Sequence, residues 1–181
     1  MVLLIFGLAL WWAGHLYGRI LPDLRSRLGK SGRGVSAVVI LLGVLCMVFG
    51  FRVADVVPLY PKMAWAVHLN NLLVLIAFYL FAVAGAKTRL HRIIRHPQLT
   101  GFSIWAVAHL LVNGDLASWV MFGGLLVWAL TEMVLINRAQ PDWERPPVAS
   151  KAKEIRAAAI ALVLYAVVAA IHSWLGYFPF G

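Results

Sequence analysis

Long apolar runs alternate along this chain with short polar, basic or proline-bearing breaks. Six runs stand out, over residues 2–20, 35–54, 63–85, 98–113, 116–137 and 156–176. A helix needs about 20 apolar residues to cross the hydrocarbon core of a bilayer, so each run is a candidate spanning helix. The fourth is the shortest and is expected to be short or re-entrant. It opens at Pro97, where a missing N–H costs nothing in a first turn. It stops at Asn113-Gly114-Asp115, which is strong turn chemistry. The fourth and fifth spans are therefore expected to form a tight antiparallel hairpin. Pro141 to Ala152 is the one real linker, because Pro146-Pro147 excludes a regular helix there. The pattern predicts an all-α, polytopic membrane bundle of about six transmembrane helices, forming a single domain over residues 1–181.

Composition supports this picture. Of 181 residues, 62% are hydrophobic and the mean hydropathy is +0.85, well above a soluble domain, which is about half apolar. The lipid bilayer is the first expected partner. The net charge of +9 raises the question of nucleic acid, but the basic residues form no single face. They fall in clusters between the spans, which is a topology signal. Fourteen of the sixteen lie in three segments, around 19–33, 87–95 and 138–156; Arg52 and Lys62 are the exceptions. Six spans put all three segments on one side, and the positive-inside rule makes that side cytoplasmic. The expected location is a bacterial inner membrane, with both termini periplasmic. The first run lacks a basic start and a small-residue cleavage pattern, so a retained helix is expected. The lone Cys46 allows no intramolecular disulfide and reads as a small buried hydrophobe.

Ionisable groups inside a span are costly and point to function. Five qualify: His15, His68, His109, Glu132 and His172. His91 and His96 lie in a wet basic loop and need no special explanation, although His96-Pro97 fits a helix start. His15 shares a face with Trp11 and Trp12 on one side and Gly18 and Arg19 on the other, by i±3 and i±4 spacing. Such a face suits a large flat partner, or a plain hydrogen bond to a neighbouring helix. His109 has Trp105 one turn before it. His68 opens the polar patch His68-Leu69-Asn70-Asn71. Glu132 has Trp128 one turn before it and Arg138 as a possible partner at the rim.

Haem b held between membrane helices uses two neutral imidazoles, apolar walls and basic groups for its propionates. Tryptophans, small residues and arginines including Arg19, Arg92 and Arg95 supply these ingredients. Depth complicates the simplest pair. His15 lies toward the cytoplasmic end of its span and His109 toward the outer turn, a gap of roughly 10 Å at 1.5 Å per residue. A short fourth helix would remove most of that gap. His68 and His172 lie closer in depth to His109.

The stretch RHPQLTGFSIWAVAHLLVNGD, with HLYGR, WAVHLNN and EMVLINRAQ elsewhere, resembles the NnrU family of bacterial membrane proteins over nearly the whole chain. That resemblance implies a link to nitrite and nitric oxide metabolism in denitrification, and membrane respiratory or denitrification proteins as partners. The same block is similar to the 15-cis-zeta-carotene isomerases of plants, which implies haem b with His15 and His109 as iron ligands and an isomerase-like redox reaction. By depth His68 is the alternative ligand, and the expected cofactor pocket also includes Arg19, Arg95, His96 and Trp105. This chain carries Ala106 where the isomerases have a cysteine. A rival resemblance, RHPQLTG to the membrane methyltransferases, implies S-adenosylmethionine near His96, Pro97 and Gly101. Against it, Glu132 stands without the second carboxylate of that pattern. The third expectation is a non-enzymatic accessory or assembly factor. Whether the protein is an enzyme stays open at this level.

Overall fold

The computed structural model describes residues 1–180 and is all-α, with no strand among them. Helix α1 spans Val2–Ile20, α2 Pro22–Leu28, α3 Gly32–Arg52, α4 Ala64–Ala86, α5 Pro97–Val112, α6 Leu116–Ala139 and α7 Lys151–Trp174. The first five predicted spans match α1, α3, α4, α5 and α6 within three residues at each end. Five helical segments are long and apolar enough to cross a membrane. The sixteen residues of α5 give a rod of about 24 Å, short of the roughly 30 Å hydrocarbon core. The fourth span is thus the short one, as its sequence predicts. Large side chains on these helices face outward: Phe49 is 58% exposed and Val163 60%. That is the inverse of a soluble protein, and it identifies a multi-pass membrane protein whose apolar faces meet lipid.

Two expectations need correction. The first basic segment is not an open loop. Pro22 starts α2, and a 3-10 turn over Gly29–Ser31 leads into α3. Gly29 makes that turn with φ +49, a backbone conformation that favours glycine. The last helix begins at Lys151, five residues before the predicted 156, and takes in the end of the linker. Charged residues at 151–156 suit a helix start in water, which a hydropathy reading alone trims away.

The chain packs as two compact units. The first holds Met1–Tyr60 and Gly114–Trp128, and the second Pro61–Asn113 and Ala129–Gly181. In the first, α1 and α3 run antiparallel with their backbones almost touching. A Cβ added to Gly43 would lie 2.9 Å from both Gly7 O and Trp11 N. Gly7 and Gly14 repeat at seven residues on α1, and Gly43 and Gly50 do so on α3. Without a hydrophobic force between helices in lipid, small residues drive association by letting backbones approach. The same unit holds the segment before α4: Leu59 N–H donates to Gly114 O at 2.7 Å and Leu116 N–H to Val57 O at 2.9 Å. A side chain at Gly114 would run into Tyr60, so the tight turn requires glycine. Asp115 caps α6, accepting from Ser118 N at 2.9 Å and from Ser118 Oγ at 2.6 Å, the expected way to satisfy a first-turn donor.

In the second unit α4 carries α5 on one side and α7 on another. Gly101 of α5 sits on α4, where a Cβ would be 2.9 Å from Ala77 O. Ala82 and Ala86 of α4 pack with Ala157 of α7, against Tyr79. Glu154, in the first turn of α7, accepts from Arg89 N at 2.7 Å. Asn71 Nδ2 donates to Pro179 O at 2.9 Å, so the polar patch on α4 ties down the C-terminal segment. His91 departs from its expected role as a plain loop residue. Its Nδ1 is buried without a hydrogen-bond partner. Burial, then the charge of Lys87 and of His96, hold its pKa below the ordinary 6.5.

Two outcomes follow from this packing. Gly43→Ala should force α1 and α3 apart and lower stability by about 1–3 kcal/mol, read as an earlier thermal transition in detergent. Gly34→Ala, where a Cβ meets nothing within 4 Å, should leave the transition unchanged or slightly raised. For His91 the folded chain resists protonation more than the unfolded chain does. Stability is therefore full above pH 6.5 and falls as pH drops below it. His91→Asn should shrink the loss of thermal stability between about pH 7.5 and pH 5.5, which a pair of melting curves would record.

Candidate functional site

An imidazole within an apolar helix must place its N–H on an acceptor, because an unsatisfied donor in such surroundings is costly. His15 Nδ1 lies 2.9 Å from Trp11 O, and His109 Nδ1 lies 2.9 Å from Trp105 O. A carbonyl can only accept, so Nδ1 carries the proton in both rings. The lone pair of each neutral imidazole is therefore on Nε2, the atom that a metal would take.

The two histidines share more than this bond. Each follows a tryptophan by four residues, and each ring packs on that tryptophan's indole. The ring centroids are 4.3 Å apart for Trp11–His15 and 4.8 Å for Trp105–His109. The chain thus repeats one Trp-x-x-x-His module, once in the first unit and once in the second. The i, i+4 spacing explains it: the side chains stack one above the other on a helix face, and the carbonyl of residue i lies beneath the ring.

In the first unit Trp128 of α6 completes the surroundings of His15. Its ring lies 4.7 Å from His15, edge-on, and 5.1 Å from Trp11. Trp128 is buried. Sequence spacing associated Trp128 only with Glu132, because partnership across helices leaves no mark in a local pattern. Trp12, predicted to flank His15, instead donates its Nε1–H to Gly124 O at 3.3 Å. The space over Gly18 holds the Arg25 guanidinium and so is not an open shelf for a flat ligand. Arg19 is exposed in the last turn of α1.

In the second unit Phe102 stacks on Trp105 at 5.1 Å. Asn113 Nδ2 donates to His109 O at 2.8 Å, closing the last turn of α5 just below the ring. Ala106 is fully buried. His172 has the same tautomer, through Val168 O at 2.8 Å, but has valine where the module has tryptophan. His68 is exposed at the start of α4. Glu132 is buried on α6, whereas Arg138, its rim partner by sequence, is exposed. Arg95 spends its guanidinium on the carbonyls of Gln140 and Pro141. His96 Nε2 donates to Asn137 Oδ1 at 2.8 Å. These two residues bind the start of α5 to the end of α6. Together with Gly101 on Ala77, they give Arg95, His96 and Gly101 of the RHPQLTG stretch a packing role.

No group of three or more His, Cys, Asp or Glu side chains that could hold a metal ion occurs among the described residues. No curated protein and no solved structure matches the chain. A family model described as NnrU protein does match, over residues 3–179, and the chain belongs to the NnrU family.

Proposed function

We propose that this NnrU-family protein binds haem b through the neutral imidazoles of His15 and His109. The observation that supports the reading is the repeated module. Each ring has its proton committed to the carbonyl four residues back, its lone pair on Nε2 and an indole against its face. The first two are what a metal-ligating imidazole needs; the indole holds the ring in place. His172 meets the first two and lacks the third; His68, exposed, is the weaker alternative. Haem b, when bound, supplies one-electron chemistry.

The residues of this chain do the rest. Trp11 and Trp105 orient the imidazoles and fix their tautomer. Trp128 excludes water from the His15 ring. Arg19 is the cation in the last turn of α1 proposed to face a propionate. Arg95 and His96 position α5, and through it His109, instead of touching the cofactor. A haem held by two imidazoles would supply electron transfer in preference to binding a small molecule such as nitric oxide. The proposed setting is a bacterial inner membrane with periplasmic termini, in contact with respiratory proteins of nitrogen-oxide metabolism.

Haem content per chain, measured on protein purified from cells supplied with haem precursor, tests this. His15→Ala and His109→Ala should each lose most of the bound haem while keeping the wild-type thermal transition within a few degrees. His172→Ala should retain it. Full haem in both His15→Ala and His109→Ala would overturn the ligand assignment. No haem in the wild type would overturn the reading itself.

A further inference from the structure

We infer that the first unit carries a phosphate-binding site at its basic end, formed by α2 and the turn that follows it. A cavity of about 620 Å³ opens there, within the roughly 300–1,000 Å³ of small-ligand sites. Arg25, Lys30 and Arg33 line it. No Asp or Glu does, among the described residues. The hydroxyls nearby are already committed as donors. Tyr17 OH donates to Gly32 O at 2.9 Å and Ser26 Oγ to Asp23 O at 2.7 Å. They hold the walls, and recognition falls to the three cations. Two of these are arginines, whose planar forks match phosphate oxygens.

Topology alone does not account for this arrangement. The positive-inside rule needs charge near the ends of spans, not a concave site. In the other two basic segments charged groups are engaged internally. Arg95 is held by the carbonyls of Gln140 and Pro141, and Arg145 lies over the Trp143 ring at 5.8 Å. In the first segment Arg25, Lys30 and Arg33 border one cavity. Gly29, with its positive φ, turns the chain so that Lys30 and Arg33 face the same cavity as Arg25.

The position of α2 indicates where the phosphate comes from. Leu21 and Leu24 are 52% and 43% exposed, and Leu28 continues their i, i+3, i+7 row. Arg25 and Ser26 on the same short helix line the cavity. Arg25 and Arg27 flank the leucine row on either side. A helix with an apolar row bordered by arginines lies in the membrane interface, at the depth of lipid phosphates. The ligand chemistry is a phosphate ester, and an anionic phospholipid headgroup is the source that this depth favours over a free phosphate.

Native mass spectrometry of the full chain tests the site, with phosphatidylglycerol and phosphatidylcholine as probes. Wild type should retain phosphatidylglycerol preferentially. The triple variant Arg25→Gln, Lys30→Gln, Arg33→Gln should lose at least about tenfold of that retention. The charge-matched control Lys151→Gln, Lys153→Gln, Arg156→Gln, on the exposed start of α7, should keep it. Failure of added inorganic phosphate to compete supports the lipid as source. Competition supports the same site with a soluble phosphate as its ligand. Equal loss in the two triple variants would overturn the proposal. A photoactivatable phosphatidylglycerol on the wild-type chain gives a readout independent of any variant's folding. Crosslinks concentrated in residues 17–33 support the site, and crosslinks spread evenly over the three basic segments overturn it.

Discussion

The candidate site depends on where an imidazole half-buried among apolar side chains puts its proton. In water the ring exchanges partners freely. Within an apolar helix it must bond to what the helix offers, and the nearest acceptor is the carbonyl one turn back. His15 and His109 take that solution with the same geometry, 2.9 Å from Trp11 O and Trp105 O. The choice fixes the tautomer, and the tautomer puts the lone pair on Nε2. Tryptophan at the i−4 position adds a wall to the acceptor, so five residues of one helix set the tautomer and hold the ring.

The rest of the fold supports these two modules. Close contact of α1 with α3 through Gly7 and Gly43 holds the His15 helix by backbone packing, the form of association that works between helices in lipid. Gly101 on Ala77 does the same for the His109 helix. The turn at Asn113-Gly114-Asp115 is satisfied from both sides. Asn113 bonds back to His109 O, and Asp115 forward to Ser118. The polar stop after His109 is thus a cap for two helices, and it ends α5 one turn beyond the ring.

Much of this was legible in the sequence. Period and length located the spans, because an apolar run that must cross lipid leaves little freedom in its limits. The short α5 and its hairpin turn were readable from Pro97 and Asn113-Gly114-Asp115. Helix α2 was hidden, since seven residues with three charges look like any basic loop until Leu21, Leu24 and Leu28 are seen on one face. The histidines were visible as costly residues. The tryptophan four residues before His15 and His109, replaced by valine before His172, was readable too; that each indole packs on the ring while its own carbonyl takes the Nδ1 proton was not. Trp128 against His15 was beyond local reading, because it comes from a helix more than a hundred residues away. His91 was misjudged for a related reason. Its neighbours in sequence are basic and wet, yet the fold buries its Nδ1.

In the proposed haem site both imidazoles present Nε2 to the iron. The most direct test is the optical spectrum of the purified protein, recorded oxidised and then after reduction with dithionite. The account predicts a sharp reduced α-band of the kind given by b-type haem with two histidine ligands. A featureless spectrum from folded protein made under full haem supply would contradict it.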